Sequence, residues 1–470
     1  MQRNLIPRPT NDPKDPLTWS TWRKHLAFTS IAFFVFLSNY ITAAIGPALV
    51  SIIKEFNISQ TQAGYLITLN ILSLGVGNLF WIPFAVKFGK RPIIILSSAI
   101  FFGSSIWSAL AKSYGSLLGA RIIQGFGASS SEALGPAVVA DLYFLHERGT
   151  KIGFYTFMIG GGSSIGGVFS GLVMKSSNNW RWVQWMCTIL TGICFALTVL
   201  FQPETNFKRS AESELGEGPE VLPHEQGQYS WIQSLELFGG YNREGSLRAF
   251  LQRPIELILY PGIFWAAITY GVTLGWVVLQ QTVNSVYFPE QYGFNALAVG
   301  DISAATIIGA LAGCFFGGPV SDWISAAIAK RKKGLFTPEM RLWTLVPAFI
   351  LGPVGLMLWG VGLGKNLHWS VPIAGTAITY GILCLVPAVG MSYVVDSYKP
   401  LAGEAITSLT AFKNTFAFGI SFAVFPWLER DGFIKMSGYM TLIEGLTFLT
   451  TVPLFLYGKQ LRKFTSRYHV

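Results

Sequence analysis

The chain is 470 residues long, 51% hydrophobic and 14% aromatic, with only 12% of its residues charged. Soluble domains carry about 25% charged residues, so this composition excludes an ordinary soluble protein and reads as an integral membrane protein. The net charge of +10 does not point to nucleic acid, because the Lys and Arg residues lie between apolar runs and form no basic face.

Residues 1–24 are polar, Pro-rich and basic. No apolar h-region precedes a small-residue cleavage site, so no signal peptide is expected to be removed. Crossing a bilayer takes about 20 apolar residues. Twelve such stretches follow, at roughly 25–52, 61–85, 92–111, 115–141, 151–174, 180–201, 257–282, 297–320, 341–363, 369–395, 402–426 and 437–458. A polar connection divides them six and six. The expected organisation is a cytosolic tail (1–24), a six-helix bundle (25–201), a cytosolic central loop (202–256), a second six-helix bundle (257–458) and a cytosolic tail (459–470). Glu212, Glu214, Glu217, Glu220 and Glu225 make the first part of the loop acidic and predict disorder; 229–237 reads as a short interfacial helix.

An even number of spans puts both termini on one side. Placing them in the cytosol assigns 25 of the 34 Lys and Arg to cytosolic segments and 7 to outer loops, with Arg121 and Lys413 inside spans. The positive-inside bias therefore predicts cytosolic termini. Asn57-Ile58-Ser59 is then a glycosylation sequon in the first outer loop. Lys330-Arg331-Lys332-Lys333 falls in an inner loop, where it anchors orientation.

The fourth stretch, Tyr114–Leu142, carries Arg121 and Glu132 within an apolar span. A charge near the bilayer centre costs roughly 2.5–3.5 kcal/mol on insertion scales, so an ionisable residue there is a functional candidate. The two are eleven residues apart, and at about 3.6 residues per turn they share a helix face with Gln124, Gly125 and Ala128. That face suits a water-accessible cavity. The four cysteines show no metal-ligand spacing, and the five histidines fall in loops, tails or span ends. Carboxylates are thus the candidate proton carriers, and no cofactor is expected. No GxxxxGK[ST] loop is present for an ATP-driven pump, and no convergent catalytic set for an intramembrane enzyme. Gly160-Gly-Gly-Ser-Ser-Ile-Gly-Gly167 in the fifth span follows no strand and has no Lys, so it reads as close helix packing.

Paired charged hinges recur in the two halves. Lys87, Lys90 and Arg91 follow the second span, as Gly318-Pro-Val-Ser-Asp322 follows the eighth. Asp141 and Glu147-Arg148-Gly149 follow the fourth, as Asp396 and Gly403-Glu404 follow the tenth. Such repetition predicts two similar bundles that rock about a midplane site.

Arg121-Ile-Ile-Gln124-Gly125-Phe-Gly127-Ala128, the loop at 82–91, and Gly162 and Gly166 through Gly171 together resemble the major facilitator superfamily. Val86 stands where that family's loop has Asp and Ile82 where it has Gly; in the fifth span Gly167 replaces its Pro and Ser170 a Gly. Asp15-Pro16-Leu-Thr-Trp19, Pro203-Glu204-Thr205 and Ala411-Phe-Lys413-Asn414 are similar to a fungal drug:proton antiporter group that includes polyamine and organic-cation carriers. The resemblance implies an all-α fold of twelve transmembrane helices in two pseudo-symmetric six-helix bundles. It also implies a cavity lined by the first, fourth, seventh and tenth helices, which offer Asn39, Tyr40, Gln124, Glu132, Tyr270, Gln280, Asn284 and Tyr380. Lys413, in the eleventh, would neutralise a carboxylate or bind an anion. The gating set implied is Lys87, Lys90, Arg91, Arg121, Asp141, Arg148, Asp322, Asp396 and Glu404.

Aromatic faces around one buried carboxylate suit an organic cation. A proton and a cation competing for Glu132 is the least machinery that antiport needs. The expectation is therefore a monomeric, proton-coupled secondary transporter of a small drug-, toxin- or polyamine-like cation in the plasma membrane, its partners being solute, protons and lipid. A nutrient sensor on the same fold, or an uptake carrier for an uncharged or anionic metabolite, is the alternative.

Overall fold

In hydrocarbon every backbone N–H and C=O must find its partner inside the protein, and this chain meets that demand with helices. The computed structural model describes residues 7–10, 12–207, 231–237, 252, 255–331, 337–398 and 402–465. The first half consists of α1 (Thr21–Ala44), α2 (Gln60–Phe88), α3 (Lys90–Ala109), α4 (Tyr114–Leu142), α5 (Leu145–Ser177) and α6 (Trp180–Phe201). The second consists of α7 (Pro261–Tyr292), α8 (Ala296–Phe315), α9 (Val346–Gly364), α10 (Ser370–Ser397), α11 (Ala402–Phe422) and α12 (Val424–Leu449). Among the described residues ten segments are long and apolar enough to cross a membrane. The remaining two spans, α4 and α11, are those that carry Arg121, Glu132 and Lys413.

Local chemistry sets the helix ends. Pro47 follows the end of α1, which tightens into a 3-10 turn at Gly46–Ala48 before a last helical piece, Leu49–Phe56. Asn57 closes that piece with φ at 50°, in the left-handed region that Asn tolerates, and Ser59 and Gln62 form the capping box that starts α2. Asn57 itself is exposed.

The packing of the first half recurs in the second. α1–α5, α2–α4, α3–α4 and α3–α6 pair in one; α7–α11, α8–α10, α9–α10 and α9–α12 pair in the other. Each pairing reappears six helices later, so the two bundles share one internal plan. They meet mainly along α2–α11 and α5–α8. At α5–α8 nothing but backbone separates the helices at Gly171 and Gly300, where a Cβ on Gly171 would stand 3.0 Å from the Gly300 Cα. Gly162 and Gly166, on another face of α5, lie against the Phe36 and Tyr40 carbonyls of α1. The glycine run of the fifth span is thus close packing on two sides.

Three expectations shift. The last span begins at Val424, well before 437, because Glu429, Arg430 and Asp431 belong to helix that turns at Gly432, with φ at 69°. The helix expected at 229–237 is one turn, Trp231–Ser234, while the acidic run 212–225 and residues 332 and 333 lie outside the described residues. The N-terminal tail folds onto the bundle: Trp19 is buried in the core of the first half with the Arg23 guanidinium 4.0 Å over its ring, and within the tail buried Asp15 accepts N–H bonds from Thr10 (2.9 Å) and Leu17 (3.0 Å).

Candidate functional site

Two prolines open the centre of the molecule. A proline inside a helix removes the N–H that would bond the carbonyl four residues earlier. Pro136 of α4 does this to Glu132, and Pro387 of α10 to Leu383. Glu132, Leu383 and Pro387 all line a cavity of about 70 Å³ between the two halves. Around it stand Asn39 of α1, Ser163 of α5, Tyr270 and Gln281 of α7, Tyr380 of α10, and Lys413 and Asn414 of α11. A space of this size holds several waters.

Glu132 is the hub. Lys413 Nζ lies 3.1 Å from its Oε2, and both side chains are only 3% exposed. Asn414 Nδ2 donates to the same oxygen at 3.2 Å, and Asn39 Nδ2 to Oε1 at 3.5 Å. The Lys413 ammonium also stands 4.7 Å from the centre of the Tyr270 ring. The carboxylate from one half is thus paired with a cation from the other, beside an aromatic face. Of the two roles open to Lys413, the geometry is that of neutralising a carboxylate.

Arg121 sits elsewhere. It is wholly buried, and no carboxylate among the described residues lies within ion-pair distance. Its guanidinium donates to the carbonyls of Leu66 (3.1 Å), Ile41 (3.2 Å) and Thr42 (3.4 Å) and to Gln124 Oε1 (2.7 Å). Ile41 and Thr42 lie in the last turn of α1, where carbonyls lack intrahelical donors and the helix dipole is negative. Arg121 therefore caps the broken end of α1. Gln124 completes the link by donating to Ser105 Oγ of α3 at 2.9 Å.

The sequence expectations divide accordingly. Asn39, Glu132, Tyr270, Tyr380 and Lys413 meet at the cavity, and Tyr380 is bonded to Ser163 across the halves. Gln124 is held in the first bundle. Tyr40 points its hydroxyl toward Met186 of α6, at 3.4 Å. Gln280 bonds Thr379 at 3.3 Å within the second bundle. Asn284 lines a separate cavity of about 30 Å³ and bonds Thr376 and Trp359. On α7 the expectation missed by one residue at Gln280 alone: Gln281 lines both cavities, and its side chain has no hydrogen-bond partner among the described residues. It follows Tyr270 by eleven residues, about three helical turns, so helix phase was the signal. Ser163 and Asn414 were also missed; both lie in stretches whose role was read as packing or resemblance.

The charged hinges form clasps inside each half. Lys90 pairs with Asp141. Glu204 accepts the backbone N–H of Lys90 (3.1 Å) and Arg91 (3.2 Å) at the start of α3, and Arg91 donates to the Val199 carbonyl (3.0 Å) and to that of Gln202. Burial raises the Glu204 carboxyl above its ordinary pKa, against the pull of those N–H donors and Lys90. Arg148 donates to the Tyr143 and Ala140 carbonyls at 3.0 and 2.6 Å. In the second half Arg341 bridges Asp322 (2.6 Å) and Asp396 (2.7 Å), so these carboxylates are tied within one bundle. Lys87 closes α2, and the Glu404 side chain lies outside the described residues. At the end of the molecule opposite the termini, the halves touch through Gln60 and Glu290 (2.9 Å) and the stacked rings of Tyr65 and Phe422 (5.2 Å).

Known proteins match this architecture. Residues 29–426 match the Major Facilitator Superfamily. Protein HOL1 of Saccharomyces cerevisiae is 23% identical over 99% of this chain and 91% of its own. A cycloheximide resistance protein of Candida maltosa is 27% identical over 96% and 83%. The crystal structure of the human organic anion transporter MFSD10 superposes with a TM-score of 0.63 at 14% identity, covering 91% of this chain and 99% of that one. With the family matched over most of its length and two six-helix bundles around a central cavity, the chain belongs to the Major Facilitator Superfamily and is a multi-pass membrane transporter.

Proposed function

We propose that this transporter is a secondary carrier that exchanges a small organic cation for protons across the plasma membrane, with both termini in the cytosol and Asn57 glycosylated outside. One observation carries the reading: the buried Glu132 carboxylate stands at the meeting of the two halves, beside the Tyr270 face, with a cation already placed against it. A carboxylate and an aromatic ring together attract an organic ammonium through charge pairing and cation–π contact. Proton coupling belongs to the Glu132–Lys413 pair, the one ion pair at the cavity among the described residues. The basic asymmetry of the loops supports the orientation, and the name of the Candida maltosa relative supports a drug-like solute.

Lys413 also gives a second reading its footing, since a lysine at the cavity would serve an anionic solute. Purified carrier in vesicles with an imposed pH gradient decides between them. Accumulation of cations, lost in Glu132→Gln, supports the proposal; accumulation of anions alone overturns it in favour of the second reading.

A further inference from the structure

Resting on the cation reading, we propose that the proton exchanged for the solute leaves from Lys413, while Glu132 stays ionised throughout as the receptor of the cation. The starting point is the donor pattern around the carboxylate. Lys413 Nζ and Asn414 Nδ2 point at Oε2, and Asn39 Nδ2 at Oε1. Both oxygens face donors. Every side-chain contact to this carboxyl among the described residues is an N–H donor, the complement of an ionised carboxylate, which only accepts.

Charge balance does the rest. The ion pair is neutral by itself: one carboxylate, one ammonium. A solute cation reaching Glu132 and the Tyr270 face must take the place that the Lys413 ammonium holds now, which would leave one positive charge in excess. No wall can absorb it. Titratable groups facing the pair are Tyr155 from α5, Tyr270 from α7, and Tyr380 and Cys384 from α10; α1 contributes Asn39, and α2 contributes Ile71 and Leu74. None is a second carboxylate. An uncompensated charge in such a place is costly. Neutrality returns when the Lys413 ammonium releases a proton, its N–H electron pair staying on Nζ as a lone pair. Cation in and proton out then balance one for one, and the reverse step reloads the lysine.

Arg distinguishes the two carriers, because a guanidinium keeps the charge and the ion pair but does not deprotonate in proteins. The probes are tetraphenylphosphonium and tetraethylammonium, permanent cations with no proton of their own. Binding to the purified, detergent-solubilised carrier is followed by calorimetry in two buffers of different ionisation enthalpy, which counts protons released. Wild type is expected to release one proton per cation bound. Lys413→Arg, with an unchanged melting temperature, is expected to release none and to lose accumulation driven by a pH gradient. If Lys413→Arg still releases a proton, the proton comes from another group and this inference fails while the cation reading stands. If neither probe binds wild type, the cation reading fails and takes this one with it. Should Lys413→Arg not fold, infrared difference spectra of wild type decide. No protonated-carboxyl C=O band should disappear when the cation binds, and its loss overturns the assignment.

Discussion

At the scale of single residues, the Glu132–Lys413 pair alters what a substitution does. Removing one partner of a buried ion pair costs about 3–5 kcal/mol, because the other charge is left uncompensated. Glu132→Gln is therefore expected to destabilise the carrier as well as silence it, and Glu132→Gln combined with Lys413→Met to recover most of the stability but not the transport. Thermal unfolding in detergent, run beside vesicle uptake, checks both. Arg121 differs, since its partners are carbonyls. Arg121→Met removes several charge-assisted hydrogen bonds, each worth roughly 1.5–3 kcal/mol. It should loosen the end of α1, read as faster hydrogen exchange around residues 41–49, without abolishing cation binding. The sequence made the presence of these two charges plain, since an ionisable residue in an apolar span stands out. It could not give their partners: Lys413 lies 281 positions after Glu132, and the carbonyls that hold Arg121 leave no mark in a sequence.

Helix ends and clasps belong to the next scale. Glu204 sits at the N-terminus of α3, and burial is the larger influence on its carboxyl, raising it from the ordinary value of 4.5. The folded state thus holds that proton more tightly than the unfolded chain. Its contribution to stability is complete below the ordinary value and is lost as pH rises through the raised one. Glu204→Gln should flatten the fall in melting temperature across that window. In the second half, Arg341 joins Asp322 to Asp396, so the three act as a unit. A double-mutant cycle of Arg341→Gln against Asp322→Asn or Asp396→Asn should give a coupling of about 0.5–3 kcal/mol. Cross-linking between the two halves should change little, because the clasp lies inside one bundle. Helix number and most boundaries were legible in the apolar runs. The start of α12 was not, since charged residues near a bilayer surface end an apolar run without ending a helix, and Arg341 hid at a span edge where it counted only toward orientation.

For the whole molecule, the repeated pairing of helices was legible only as charged hinges in both halves, yet it places Glu132 and Lys413 on opposite bundles. Orientation is open to direct measurement: a cysteine at position 57 should react with an impermeant reagent added to intact cells, and protection from it would reverse the topology. A different consequence lies in the contact of Gly171 with Gly300. Surfaces that interlock side chains must disengage before they slide, and each disengagement is a barrier; two bare backbones offer almost nothing to disengage. Although Ser164 and Thr306 hydrogen-bond across the same seam at 2.8 Å, the Gly171–Gly300 crossing itself would act as a low-friction bearing, one that governs how fast the halves exchange positions and not how tightly they hold a solute. Gly300→Ala should accordingly slow turnover and steepen its dependence on temperature while leaving solute affinity unchanged.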